Sequence, residues 1–343
     1  MIPKPHEVDV PPEVIQAAIR GKLTFFIGNG LSRLYGYPSW GGLADLMLTE
    51  LAKEREISFN DLELLKKLPV KTKISIADSY FKKNWKLGEK KKTNLTYEAI
   101  LKRSENKKKL KEDQIFLLLA KCKVKFITTN YDDLLDKQLN IEHGNDFDKQ
   151  EIGLAKKEKS ESTENVTKDK FEIISDPKKL KFISPAKETV LLHLHGSLGS
   201  EEDQLIASTS DYLELYTNSE FKEKFVEFLK DQTLIFIGYG LEELEVLEML
   251  FRASELNTDE QKHIILLPLM SHEQYLLEHL KQYWGGLGFK LEPYNTDEKG
   301  FDSIGDLIHK WAPVIAEEAK PPLPTKNNDG LDNIITKFEG ASL

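Results

Sequence analysis

Four short stretches carry the residues that could do chemistry: Gly28-Asn29-Gly30-Leu-Ser32, Thr128-Thr129-Asn130-Tyr-Asp132, His193-Leu-His195-Gly-Ser197 and Gly238-Tyr239-Gly240. In the first, two glycines one residue apart end an apolar run, so the backbone can pass close to another group. Outward N–H groups and the positive end of a following helix would suit a phosphate there. A dinucleotide fingerprint wants a third glycine at position 33, where this chain has Arg33 and reaches its next glycine only at Gly36. The stretch alone therefore fits a nucleotide turn or an ordinary tight strand-to-helix turn. Asn130 places an amide at the end of an apolar strand, a poor position for an uncommitted polar group. Asp132 can orient a ligand or cap the next helix. His193 and His195 alternate onto one face of their strand. His193 reads as a satisfied core or supporting histidine. His195 abuts the Gly-Ser turn and offers a ring that is neutral near pH 7, able to take a proton.

These residues need a frame, and the apolar pattern supplies one. Runs at Leu23–Ile27, Val124–Thr129, Thr189–His195, Thr233–Ile237, His263–Leu269 and Phe289–Tyr294 read as strands. Between them, helices are expected over Ser39–Glu54, through most of 55–120, from Leu134, from Ser208, from a cap at Ser219, over Glu242–Ser254, at about 272–283, and from Phe301 to about Ala316. Pro313 should kink or shorten the last one. Strands alternating with crossover helices give an α/β, Rossmann-like, mostly parallel sheet covered on both faces. Ligands in such sheets sit at the carboxyl ends of the strands, where all four stretches fall. A single domain is expected over 1–320, with a helical insertion at about 55–120. A polar insertion at about 140–187 holds a short strand near Phe171–Ile174, and 321–343 forms an extended tail.

Bulk properties narrow the class. A net charge of −9 counts against a protein built to grip nucleic acid, and the lysine clusters at 90–92 and 107–109 read as solvated helix surface. The one cysteine, Cys122, excludes a disulfide framework and a zinc ribbon. No metal site is expected. With no apolar leader and no window long enough to span a bilayer, a cytoplasmic protein is expected.

In order and spacing, the four stretches resemble the sirtuin family. Gly28-Asn-Gly-Leu-Ser32 is similar to its Gly-Ala-Gly-Ile-Ser turn, and Gly36-Tyr-Pro38 to its Gly-Ile-Pro. Thr128-Thr-Asn-Tyr-Asp132 is similar to Thr-Gln-Asn-Ile-Asp, His195-Gly196 to the His-Gly motif, and Gly238-Tyr-Gly240 to Gly-Thr-Ser. The departures matter. The four-cysteine zinc module of the deacylases is missing, Ser39-Trp40-Gly41 stands where they have Asp-Phe-Arg, Asn29 replaces alanine and Gly240 replaces serine. The chain thus looks like the sirtuin-like branch of bacterial anti-phage defence, whose members cleave NAD to nicotinamide and ADP-ribose.

That resemblance implies NAD as substrate, with no metal required. Asn130 would hold ribose hydroxyls or water, His195 would accept a proton, and Asp132 would orient the site or stabilise a developing cation. Gly28, Gly30 and Ser32 would hold the pyrophosphate, with Thr129, Gly238 and Tyr239 against the dinucleotide. Asn29 would tune the turn or touch the ligand. A toxic hydrolase needs restraint, so the resemblance also implies a homo-oligomer and a partner such as a HerA-type ATPase. Competing readings are an NAD-dependent protein deacylase, a non-catalytic NAD or ADP-ribose sensor, and a DNA-processing subunit.

Overall fold

The structure is a computed structural model and describes residues 2–88, 92–143, 171–182, 189–198, 205–241, 243–255 and 263–319. Its strands are β1 (Leu23–Ile27), β2 (Lys125–Thr128), β3 (Glu172–Ile174), β4 (Val190–His193), β5 (Thr233–Ile237), β6 (His263–Leu269) and β7 (Phe289–Asn295). They form one sheet in the order β3-β4-β2-β1-β5-β6-β7, and every ladder is parallel. β1, β2 and β5 are buried along their whole length, as expected of strands covered on both faces. The chain winds outward from β1 to β2 and later starts again at β5 on the other flank. That reversal puts a crevice at the carboxyl end of β1, and the first glycine turn sits in it.

Helices follow the strands: α1 (Pro12–Ile19), α2 (Asn29–Arg33), α3 (Trp40–Lys53), α4 (Phe59–Leu65), α5 (Val70–Trp85), α6 (Tyr97–Ser104), α7 (Lys107–Glu112), α8 (Ile115–Ala120), α9 (Leu134–His143), α10 (Thr209–Thr217), α11 (Ser219–Leu229), α12 (Leu244–Glu255), α13 (Leu277–Gly285) and α14 (Ser303–Glu318). Two apolar layers lie on opposite faces of the sheet. One packs Phe25, Phe126 and Ile235 against Leu48, Leu307 and Trp311. The other packs Phe26, Ile127 and Phe236 against Phe225, Val246 and Met249. The alternating strand side chains divide between these layers.

Sequence and structure differ at several ends. Asn218, not Ser219, caps α11, because its side chain accepts from the Phe221 N–H. α14 neither stops nor shortens at Pro313 but runs through to Glu318; Trp311, Ala312 and Ile315 on its buried face hold it to the core. The helix expected at about 272–283 opens as a 3-10 turn over Ser271–Leu276 before α13. β4 ends at His193, so His195 stands beyond the ladder, where Gly196 turns the chain with φ +85°. α12 begins at Leu244, because the preceding turn occupies Leu241, with φ +53°. The expected tail at 321–343 and most of the polar insertion lie outside the described residues. The lysine clusters are surface features where described: Lys92 pairs with Glu56 and Lys109 with Asp302.

The glycines of the first and fourth stretches are needed for each other. Gly28 N–H donates to the Ile237 carbonyl at 2.9 Å and Gly30 N–H to the Gly238 carbonyl at 2.8 Å. A Cβ on Gly28 or Gly30 would stand 2.5 or 2.6 Å from the Gly238 oxygen, and one on Gly238 would stand 2.6 Å from the Leu31 nitrogen. Gly238 also has φ +64°. Replacing it with alanine adds left-handed strain of about 1–2 kcal/mol to a backbone clash that no rotamer relieves. Gly238→Ala should therefore destabilise the fold by about 3 kcal/mol or more in denaturant unfolding. Gly285→Ala, whose Cβ meets open space, should leave the midpoint nearly unchanged.

Candidate active site

The carboxyl ends of β1, β2, β5 and β6 open into a cavity of about 880 Å³, large enough for a dinucleotide-sized ligand. Asn29, Gly30, Thr129, Asn130, Asp132, His195, Gly238 and Tyr239 all line it. Gly28 and Ser32 stand behind this wall.

Thr128 fixes the end of β2. Its hydroxyl donates to the Ile27 carbonyl at 2.9 Å and accepts from Asn130 N–H at 3.1 Å. The Asn130 side chain is thereby held across the β1 turn. Its Nδ2 donates to the Gly28 carbonyl at 3.2 Å and to Ser32 Oγ at 2.9 Å. A carbonyl can only accept, so the amide orientation is fixed. Ser32 Oγ then donates to Asp132 Oδ2 at 2.7 Å, giving a one-way chain from amide to hydroxyl to carboxylate. Asn130 Oδ1, at the other end, is buried and has no hydrogen-bond partner. Asp132 also accepts the Leu134 N–H at the start of α9 at 3.3 Å, so orienting and capping are done by one side chain. Burial pushes its carboxyl up to about 6, against the lowering effect of the Ser32 and Leu134 hydrogen bonds.

His193 is fully buried under this chain. Its Nδ1 lies 3.2 Å from the Asn130 carbonyl and its Nε2 lies 3.0 Å from Asp136. Burial favours the neutral ring, but the Asp136 carboxylate and the Asn130 carbonyl together outweigh it and raise the pKa. With acceptors at both nitrogens, the ring buttresses the Asn130 backbone.

His195 has the opposite surroundings. Its Nε2 is 3.1 Å from the Tyr216 hydroxyl and its Nδ1 is 3.3 Å from the Tyr212 hydroxyl. Glu243 also approaches Nε2, at 3.4 Å. Burial, with a smaller contribution from the Lys71 charge, pushes the imidazole down to about 3. A hydroxyl can serve either tautomer, so the two tyrosines hold a neutral ring without protonating it. They lie one helical turn apart on α10, which is itself tied down. Lys82 of α5 reaches both Asp211 oxygens at 2.8 Å and Asp78 at 2.9 Å, and Tyr97 donates to Asp78 at 2.7 Å. Asp211 also completes the Ser208 capping box.

The pattern of strand ends does not reveal Tyr216, Glu243, Asp136 or Lys82. The Tyr212/Tyr216 spacing of four along an amphipathic helix was the available signal. Nor do the first-turn glycines offer a free amide pair, since both N–H groups are already spent on β5. The Ser32 hydroxyl is engaged in the Asn130–Asp132 chain rather than turned to the cavity. Asn29 does two things: its Nδ2 donates to the Pro38 carbonyl at 3.0 Å, anchoring the Gly36-Tyr-Pro38 loop, and its buried Oδ1 at the cavity wall lacks a partner.

A ring held neutral this firmly should not titrate near neutrality. His195 imidazole resonances, assigned by comparison with His195→Gln, should show no protonation step between pH 5 and pH 8 by NMR. A midpoint near the ordinary histidine value would contradict the buried, tyrosine-clasped geometry.

Among the described residues no group of three or more His, Cys, Asp and Glu side chains is placed to hold a metal ion. No helix among them is long and apolar enough to cross a membrane. No curated protein matches the chain. Residues 124–286 match the family model of the SIR2-like domain. That span begins at β2 and ends in α13, so it takes in Asn130, Asp132, His195 and Tyr239 but leaves out the β1 turn. The match, over a little under half of the chain, supports a sirtuin-like relationship for a span that supplies about half of this cavity wall.

Proposed function

We propose that this chain hydrolyses NAD at the nicotinamide–ribose bond. The observation that carries the reading is Asn130 Oδ1, a buried acceptor without a partner on a residue that lines a dinucleotide-sized cavity. A lone buried acceptor is costly unless a ligand donor meets it. A ribose hydroxyl or the attacking water supplies such a donor. The SIR2-like match over residues 124–286 independently supports an NAD-using site.

In the reaction the bond between ribose C1′ and the nicotinamide nitrogen breaks, and its electron pair leaves with neutral nicotinamide. Water adds to C1′, giving ADP-ribose and a proton. The transition state carries positive charge on the ribose, so a pre-set negative dipole lowers the barrier. The hydrogen-bond chain provides it. Asn130 Nδ2 donates toward Ser32 and, through Ser32, toward the Asp132 carboxylate, which leaves Oδ1 more electron-rich. The roles expected from the sequence are thereby redistributed. His195, held at about 3, binds a proton too weakly to act as base near pH 7, and serves as a neutral hydrogen-bonding wall. Asp132, held at about 6 and lining the cavity, can receive the proton that water loses.

The motif order, with the four-cysteine zinc module missing, supports a more specific proposal. The chain acts as an NAD-depleting effector of anti-phage defence, working as a homo-oligomer, with a HerA-type ATPase as a candidate partner that controls it. Incubation of the purified chain with NAD, with and without that partner, should yield nicotinamide and ADP-ribose by mass spectrometry. Asn130→Ala should lower the rate by about 10²–10³-fold. Intact NAD in every assembly state would sink the proposal, and binding without turnover would favour a sensor.

Asp132 also links activity to stability. Its native pKa lies above that of an unfolded aspartate, so the folded protein binds more protons than the unfolded chain between about pH 4 and pH 6. The contribution of this group to stability therefore falls as pH rises through that window, costing about 3 kcal/mol at neutral pH. Asp132→Asn removes the charge while keeping an acceptor for Ser32. It should raise the unfolding midpoint at pH 7, flatten the slope between pH 4 and pH 6, and abolish most NAD cleavage. In the unsubstituted protein kcat/KM should fall below about pH 6 as Asp132 protonates.

A further inference from the structure

A dinucleotide brings a diphosphate into the cavity, and the β1 turn has little left to offer it. The Gly28 and Gly30 N–H groups, the usual donors of such a turn, already donate to β5 at 2.9 and 2.8 Å. Charge must then come from side chains. Of the described residues that line the cavity, only Arg33 and Lys71 carry positive charge. Lys71 is engaged, with its ammonium 3.1 Å from Glu245 and 4.7 Å from the centre of the Tyr212 ring. Arg33 has no carboxylate partner among the described residues. Its guanidinium carbon lies 5.6 Å from the centre of the Phe301 ring.

Phe301 is placed for this contact. Its Cζ covers Gly30 so closely that a Cβ there would stand 2.6 Å from it. The Arg33–Phe301 pair therefore caps the β1 turn at the spot where Gly30 and Gly238 meet. A cation–π contact with a ring uses none of the guanidinium N–H groups as hydrogen-bond donors to protein acceptors, and their fork matches two phosphate oxygens. Arg33 is exposed and lines the cavity.

We infer that Arg33, standing where a dinucleotide fingerprint would have its third glycine, is the diphosphate-recognition residue of this cavity and replaces the backbone cradle with a guanidinium set beside Phe301. The inference rests on the dinucleotide reading of the site but not on hydrolysis. It makes the ligand class a nucleoside diphosphate ester, with its diphosphate held by a charge-assisted fork.

The test is calorimetric titration of the full chain with ADP-ribose, which lacks the bond to be cleaved, at two salt concentrations. Arg33→Ala should weaken binding by about 10- to 100-fold and make it less salt-dependent, as loss of a charge-assisted contact does. Arg33→Lys keeps the charge but not the fork, and should fall between the two. Arg33→Ala affinity within about threefold of the unsubstituted protein, or a loss with unchanged salt dependence, would overturn the inference. ADP-ribose binding that depends on Arg33 without any NAD cleavage would refute the hydrolase proposal and leave this one standing. No ADP-ribose binding by the unsubstituted chain would remove both.

Discussion

The site depends on one backbone contact. The β1 turn and the β5 turn lie so close that neither could carry a side chain at Gly28, Gly30 or Gly238. Two N–H to carbonyl bonds, from Gly28 to Ile237 and from Gly30 to Gly238, close the contact. It occurs where the winding of the sheet reverses, so it brings β1, β2 and β5 to one crevice. Gly28 is then in position to receive the Asn130 amide from the neighbouring strand, and Ser32, one turn on, is in position to pass that interaction to Asp132. Close packing of backbone against backbone gives the first turn its rigidity. The same closeness commits those two amides to the β5 turn, so neither is free to meet a ligand.

Polar groups around the cavity are held in states they would not choose in water. Asp132 is pushed up and His195 pushed down, both chiefly by burial. His193, equally buried, is raised because Asp136 and the Asn130 carbonyl outweigh the desolvation. Three titratable groups within one crevice thus have three different proton affinities set by their partners. Such separation is the mark of a site arranged for acid–base or electrostatic work, although structural ion pairs produce it too. What distinguishes this crevice is the polar atoms left over. Asn29 Oδ1 and Asn130 Oδ1, on two residues that line the cavity, are buried without partners, and buried acceptors are rarely left so without a function.

Much of this was legible in the sequence because strand ends announce themselves. Largely apolar runs ending in Gly28, Asn130 and Gly238, alternating with helices, read as buried strands of a mostly parallel sheet, and the sheet is parallel at every ladder. The short edge strand near Ile174 was equally readable from its apolar pair. Chain ends governed by local competition were not. Asn218 and Ser219 are both good caps, and only the three-dimensional path decides between them. Pro313 argued for a break, but the packing of Trp311, Ala312 and Ile315 on the sheet holds α14 together across it. The partners of His195 come from α10, and the strut that steadies α10 comes from α5, more than a hundred residues earlier in the chain. No periodicity within either helix records that meeting. Likewise, spacing alone could suggest that glycine amides face a phosphate, but not that another strand had already taken them.

The cavity wall carries both signs of charge. Asp132 and Glu243 line it with Asn130 and His195, and Arg33 lines it beside Phe301. On the proposed reading the ligand carries both signs too, with a cationic nicotinamide ring and two phosphate charges. The same reading accounts for the neutral His195. A protonated His195, near the Lys71 ammonium that already stands 4.7 Å from the Tyr212 ring, would add positive charge that opposes the cation developing on the ribose. A ring clasped by two tyrosines offers hydrogen bonding there without that penalty.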